Sequence, residues 1–422
     1  MATISIRKPI QNESESAFAK HLSTPFLKKT IPNTSHEKWK KIHPEVFWKK
    51  LDAGIALGNH FSHWNLQNPS PDAVWKSWLE WENEDKTFAD KILKSQESLH
   101  YQFGANEREN DFLGDYAASR TEKEHIFVLR IPANVKITEP LILESFSEDA
   151  PAGLHFFRTI LFLEEGSQAD IVMGKQSLPL EMGFRQIYLE DNTSLHLYSW
   201  INNIVTNNPG GDSTVLLSDK IYVGNNSRMT ILQMNNKNKL ASHFSDIWLE
   251  KRATLDYFSA NYTSEGLQNT EINVFHHQSY SESSIVQNSI AADNGHSVFR
   301  GNIIIPSGTI KCTGEQQNKN LIIGKNALAE AIPQLEISTD DVEANHGSAT
   351  GELDEEQLFY LLSRGIPEED ARALLTVSFL ESVLERSVAT LSSPRNKESI
   401  YQRIWEAVSD SLHITREVLD EE

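Results

Sequence analysis

Between residues 125 and 345, short apolar runs alternate with polar turns, and the runs repeat. Leu163 is followed by Ala169 and Ile171, Leu189 by Leu195 and Leu197, Val223 by Met229 and Ile231, and Leu249 by Leu255 and Tyr257. Each set puts an apolar residue at the end of one strand, then a polar turn of about five residues, then a two-residue alternation that opens the next strand. Leu129, Val135 and Ile137 extend the pattern upstream; Ile304, Ile310 and Cys312 extend it downstream, and Ile323, Ala329 and Ala331 follow loosely. Successive starts from 129 to 249 are separated by 34, 26, 34 and 26 residues, the irregular step being read as insertions at corners. Repetition on this scale predicts a mainly β solenoid, in which each coil buries its inner face only by stacking on its neighbours. A β-sandwich is the alternative that such turn spacing allows. In this alignment Cys312 takes the inward position of Ile171, Leu197 and Ile231, as a small hydrophobe rather than a reactive thiol.

Helical patterning flanks the repeat. Residues 1 to 110 are rich in aromatics, among them Trp39, Trp48, Trp64, Trp75, Trp78 and Trp81. The three-residue spacing of Trp75, Trp78 and Trp81 predicts one helical stripe packed against a neighbouring unit, with ligand stacking as the alternative. After Gly351, Asp354 with Gln357 three residues on reads as a helix N-terminus. Gly365 reads as its end, and Pro367 as the first turn of a second helix carrying Ala371, Leu374, Leu375, Phe379, Val383 and Leu384 on one face. A break at Ser393-Pro394-Arg395 precedes a last helix with Ile400, Ile404, Trp405, Val408 and Leu412. Helices in that place would cap the open end of a solenoid or bind a partner. The expected division is therefore a helical unit over 1–115, a β-solenoid core over 116–350 and a helical unit over 351–422.

Composition narrows the chemistry. The net charge of −20 over 422 residues argues against a nucleic-acid binder, which needs a surplus of Lys and Arg. A single cysteine excludes a disulfide framework, a zinc ribbon or a four-cysteine cluster site built from this chain alone. No long apolar stretch opens the chain or approaches a membrane span, so a cytoplasmic protein is expected. There is no phosphate loop: Gly324-Lys325-Asn326 lacks the upstream glycine and the hydroxyl. There is no nucleophile elbow and no His-Glu-x-x-His. His276 and His277 are strand neighbours that point to opposite faces and do not share a metal.

One polar cluster stands apart, from Glu336 through Asp340, Asp341, Glu343, Ala344, Asn345, His346 and Gly347 to Gly351, where the solenoid ends and the helices begin. An imidazole at His346 can ligate iron or zinc, and carboxylates can assist. The structural alternative is a turn whose glycines supply unusual backbone angles and whose histidine is only hydrogen-bonded.

The residues of this region resemble a known family. Pro333 to Ile337, Asp340-Asp341-Val342, His346-Gly347 and the run Gly351 to Ile366, with Asp354, Gln357, Tyr360, Arg364 and Gly365, look like the signature of the SufB/SufD family. Val298 to Gly301, Gln317-Asn318-Lys319-Asn320-Leu321 and the segment around Glu37 and Trp39 agree. The length and lone cysteine resemble the SufD branch more than the SufB branch. The resemblance implies a right-handed parallel β-helix flanked by helical units. It implies an iron–sulfur cluster assembly scaffold, not an enzyme, that pairs with a SufB-like subunit near the end of the β-helix. It further implies docking of a SufC-like ATPase by the C-terminal helices, with Gln357, Tyr360, Arg364 and Gly365 at that contact. His346 then matches an interface ligand for iron or a nascent cluster, with Glu343 as a weaker candidate. No cofactor is expected to be held stably by this chain alone; a transient iron or cluster would sit at the SufB interface. Ala344 stands where many relatives carry cysteine, so ligation would rest on His346, nearby carboxylates or partner thiolates. Two other classes compete: a β-helix carbohydrate-active enzyme, which would need acidic or basic residues clustered on one face, and a homodimer formed through exposed terminal strands.

Overall fold

In the computed structural model, residues 59–61, 64–103, 125–145, 153–176, 180–202, 213–236, 239–391 and 393–412 are described. They form a β-solenoid of stacked parallel strands on two faces. One face contains β4 (Ile126–Ile131), β6 (Leu154–Leu163), β8 (Leu180–Leu189), β10 (Thr214–Val223) and β12 (Leu240–Leu249). The other contains β5 (Leu141–Ser145), β7 (Gln168–Gln176), β9 (Ser194–Asn202) and β11 (Arg228–Asn236). Two long strands, β13 (Thr254–His276) and β14 (Glu282–Ile305), bend so that each serves both faces. β15 (Cys312–Ile323), β16 (Leu328–Ile337) and β17 (Val342–Gly351) complete the ladder. Three short strands, β1 (Asn59–Phe61), β2 (Asn65–Leu66) and β3 (Val74–Ser77), join its first coils, the last two antiparallel.

The central repeat is the strand register itself. Leu163 pairs with Leu189, Leu189 with Val223, and Val223 with Leu249. Ile171 pairs with Leu197, Leu197 with Ile231, and Ile231 with Tyr257. All are buried in one apolar cluster inside the coils. The long step from 189 to 223 spans residues 203–212, which lie outside the described residues.

Away from the centre the alignment shifts. Upstream, Ile131 rather than Leu129 pairs with Leu163; a slip of two keeps the same face, so alternation could not separate them. Downstream, Ile304 pairs with the outward Phe275, and the buried Ile305 holds the inward place. Ile323, Ala329 and Ala331 belong to a different part of the coil, since Ala329 pairs with Ser297.

Cys312 is buried in the inner cluster, but not in the row of Ile171. The pairings of Thr313 with Glu282 and of Glu282 with Thr254 set it above Ser281 and Ala253. These small residues close a recurring corner. In six successive coils a residue with positive φ (Gly166, Asn192, Asn226, Arg252, Tyr280, Lys311) precedes a small one (Ser167, Thr193, Ser227, Ala253, Ser281, Cys312). The hydroxyl bonds back across the turn, as Thr193 Oγ1 does to the Glu190 carbonyl at 2.9 Å and Ser281 Oγ to that of Gln278 at 2.8 Å. Sulfur fits such a site by size, with Sγ 3.5 Å from Ser281 Oγ. At the opposite corner Gly266, at φ +80°, stacks so closely that a Cβ would lie 1.9 Å from the Lys239 carbonyl oxygen.

Helices cover the outer faces. α1 (Trp78–Glu84) starts with a capping box between Ser77 and Glu80 and is followed by α2 (Lys86–Phe103). Trp78, Trp81, Phe88 and Ile92 pack on Val128, Ile160, Phe162 and Tyr188. Trp75 is not on that helix but in β3, stacked on Phe127 at 5.4 Å. The helices expected over residues 1–58 lie outside the described residues. At the other terminus come α3 (Glu355–Ser363), α4 (Glu368–Ala389) and α5 (Pro394–Leu412). Leu380, Val383, Leu384, Val388, Ile400 and Ile404 pack on Val172, Tyr198, Leu232, Phe258 and Val286. Asn288 Nδ2 donates to the Phe379 carbonyl at 2.6 Å, and Asn396 Nδ2 to Asp170 Oδ2 at 2.7 Å. α4 and α5 therefore lie along the flank of the solenoid, not over its end as a cap. Among the described residues no helix is long and apolar enough to cross a membrane.

Candidate functional site at the last coil

The flanking position of α4 and α5 leaves β16 and β17 as terminal strands. β17 pairs with β15 and β16 with β14; among the described residues neither has a second register partner. Both are ten residues long, and such an edge is a template for another chain. β17 carries one formal charge, Glu343, and no lysine or proline, so it lacks the usual edge protection. Leu328 (57% exposed) and Ile337 add apolar surface on β16.

His346 sits on this edge. Val342 and Ala344 pack against the inner cluster, so by alternation His346 shares their inward-facing side and Glu343 faces the other way. Its register completes the row of Ile171, Leu197, Ile231 and Tyr257: Tyr257 pairs with Ile285, Ile285 with Gln316, and Gln316 with His346. The row assigned to Cys312 thus ends in His346, and only the end of the stack leaves that residue exposed. Its neighbour Gln316 is buried and donates from Nε2 to the Gln334 carbonyl at 2.8 Å. Among the described residues no three His, Cys, Asp or Glu side chains converge as a metal site. Among these residues His346 offers one imidazole at the open edge. At the corner before β17, Lys311 Nζ lies 2.8 Å from Asp341 Oδ1, and that contact holds the ammonium pKa above its ordinary value.

α3 adjoins this end in sequence. Asp354 caps it, accepting from the backbone N–H groups of Glu356 at 2.9 Å and Gln357 at 3.2 Å. Leu358 is its one buried residue. Gln357 and Tyr360 are exposed, and the Arg364 guanidinium lies 4.9 Å from the Tyr360 ring centroid. Gly365, at φ +88°, ends the helix in the left-handed region that only glycine adopts freely. Phe359 (72% exposed) and Leu362 are exposed beside Tyr360. Sequence reasoning missed Phe359. The signal was there, since it falls off the face shared by Leu358, Leu361 and Leu362.

The coil core through α4 coincides with a family model. Residues 146–379, more than half of the chain, match the SUF system FeS cluster assembly, SufBD core domain. The chain is 39% identical over 110 residues, 26% of each protein, to the iron–sulfur cluster assembly protein SufD of Escherichia coli (strain K12). It is 36% identical over 120 residues, 28% of each, to the SufD of Bacillus subtilis (strain 168). It is 24% identical over 309 residues to an iron–sulfur cluster assembly SufBD family protein of Synechocystis sp., covering 67% of this chain and 66% of that one. The matches thus span from about a quarter to just under two thirds of these relatives' lengths. Stacked coils, the matched core and the SufD likenesses agree: the chain belongs to the SufB/SufD family of the SUF iron–sulfur cluster assembly system.

Proposed function

We propose that the chain is a SufD-like, non-catalytic scaffold subunit of a cytoplasmic SufBCD complex. The observation that carries this reading is the unpaired last coil, where two ten-residue edges, one of them with Leu328 and Ile337 exposed, are open to another chain. A SufB-like subunit pairs there. The ATP hydrolysis belongs to a SufC-like partner, which docks on α3 through Gln357, Tyr360, Arg364 and Gly365, with Phe359 as the apolar anchor. Exposed aromatics beside an arginine are the composition of an interface centre. His346 supplies one imidazole to iron or a nascent cluster carried at the SufB joint, and the partner supplies the remaining ligands; imidazole in place of thiolate on cluster iron is known chemistry. Glu343, on the outward face, is the weaker ligand of the two. The chain holds no cofactor stably by itself.

The test is co-expression of the full chain with the SufB-like and SufC-like proteins of the same genome, followed by mass measurement of the purified species. A complex containing all three is expected. A folded chain that stays alone, or forms only a homodimer in their presence, overturns the reading. His346→Ala should leave that complex intact while lowering cluster maturation; unchanged maturation returns His346 to a structural role.

A further inference from the structure

The inside of the solenoid is not uniformly apolar. Two inward rows on the β7–β9–β11 face turn polar along the stack. Ser199, Gln233, Ser259, Gln287, Asn318 and Ser348 are successive register partners. Beside them run Asn235, Asn261, Ser289, Asn320 and Thr350. All but the two on the edge strand β17 are buried.

The rows begin at a buried ionic group. Arg185 donates to Asp219 from Nε at 3.0 Å and from Nη2 at 2.5 Å, to Ser199 Oγ at 2.8 Å and to Gln233 Oε1 at 3.0 Å. His243 Nε2 lies 2.9 Å from Asp219 Oδ2. They end at the open coil, where Asn320 Nδ2 donates to Thr350 Oγ1 at 3.1 Å and Ser348 Oγ to Asn318 Oδ1 at 3.2 Å.

Between these ends the direct bonds stay within a coil. Asn261 Nδ2 donates to Ser259 Oγ at 2.9 Å, and Gln287 Nε2 to Ser289 Oγ at 2.9 Å. Beside Ser297 Oγ, three inward amide atoms at this level have no partner among the described residues: Asn261 Oδ1, Gln268 Nε2 and Gln287 Oε1. All three residues are at most 1% exposed. Asn261 reaches Thr270 Oγ1 across the interior at 3.4 Å, and Gln268 shares the face of Thr270. Two acceptors and one donor are the complement of one water, which donates twice and accepts once. The large majority of buried side-chain polar atoms in folded proteins have a partner, protein or ordered water.

We propose that the interior binds ordered water between Asn261, Gln268 and Gln287, midway along the polar rows that run from the Arg185–Asp219–His243 group to the open last coil. The test is a crystal structure of the full chain, alone or in its complex, at a resolution that resolves ordered water. Density within hydrogen-bond reach of these three atoms is expected. Direct contact among the three amides after reorientation, or a dry interior, overturns the proposal.

Discussion

The middle and the end of the solenoid use strands of the same length to opposite effect. In β6, β8 and β12 all ten residues are buried, while in β17 eight of ten are exposed. Backbone geometry does not separate them, since all lie in regular parallel register. The difference is the number of neighbours. A central strand has a coil on either side, whereas β17 has one. Burial here is a property of position in the stack, so a residue's cost on mutation should follow its coil and not its type.

The comparison breaks first, if at all, at Asp219. Asp219→Ala leaves the Arg185 guanidinium and His243 buried without their carboxylate. A loss of about 3–5 kcal/mol in urea unfolding is expected. Burial alone would push the Asp219 carboxyl up, but Arg185 and His243 outweigh it and hold it below the usual carboxylate range. A loss under about 1 kcal/mol would mean that the central coils do not hold the pair dry.

The second test is pH. His276 is buried between Ser281 Oγ at 2.8 Å and Ser283 Oγ at 2.9 Å, and burial lowers its pKa from 6.5 to about 4. In the unfolded chain it takes up a proton near pH 6.5, in the folded chain only near pH 4. The unfolded state therefore binds more protons between these values, and this residue's contribution is full above pH 6.5 and lost as pH falls to about 4. The loss is about 3 kcal/mol. His276→Gln should flatten that part of the stability curve; an unchanged curve would place the acid sensitivity elsewhere.

Smaller still is Cys312→Ser. Serine or threonine fills the same corner in four other coils, so a change within about 1 kcal/mol is expected. At the far end of the comparison, Phe359→Glu should alter stability by no more than about 0.5 kcal/mol, because the ring is exposed, yet weaken ATPase docking tenfold or more in a binding titration. Stability loss without binding loss would make Phe359 an ordinary packed residue.

The sequence was most legible where neighbours were most alike. From 163 to 257 the apolar spacing reproduced the register residue for residue, because an interior lined by aliphatic side chains repeats its own pattern. Legibility failed where the interior turned polar. Gln316 and His346 continue the row of Ile171, but an alternation argument that equates inward with apolar passes over them and settles on Cys312. Trp75 was misplaced for another reason: a three-residue spacing crossed the boundary between β3 and α1, which Ser77 marks as a cap. The candidate site was found by its motif. That His346 and Glu343 stand on opposite faces, and that the coil beneath them is uncovered, needed the fold.

The residue-by-residue stacking also governs how the gene can change in length. Removing one residue inside β8 would turn every later side chain of that strand to the wrong face against two neighbours at once. The same deletion at a corner is absorbed there, as the steps of 26 and 34 residues between otherwise matched coils attest. Lineages of this fold should therefore gain and lose residues at bends, and keep their straight runs at constant length.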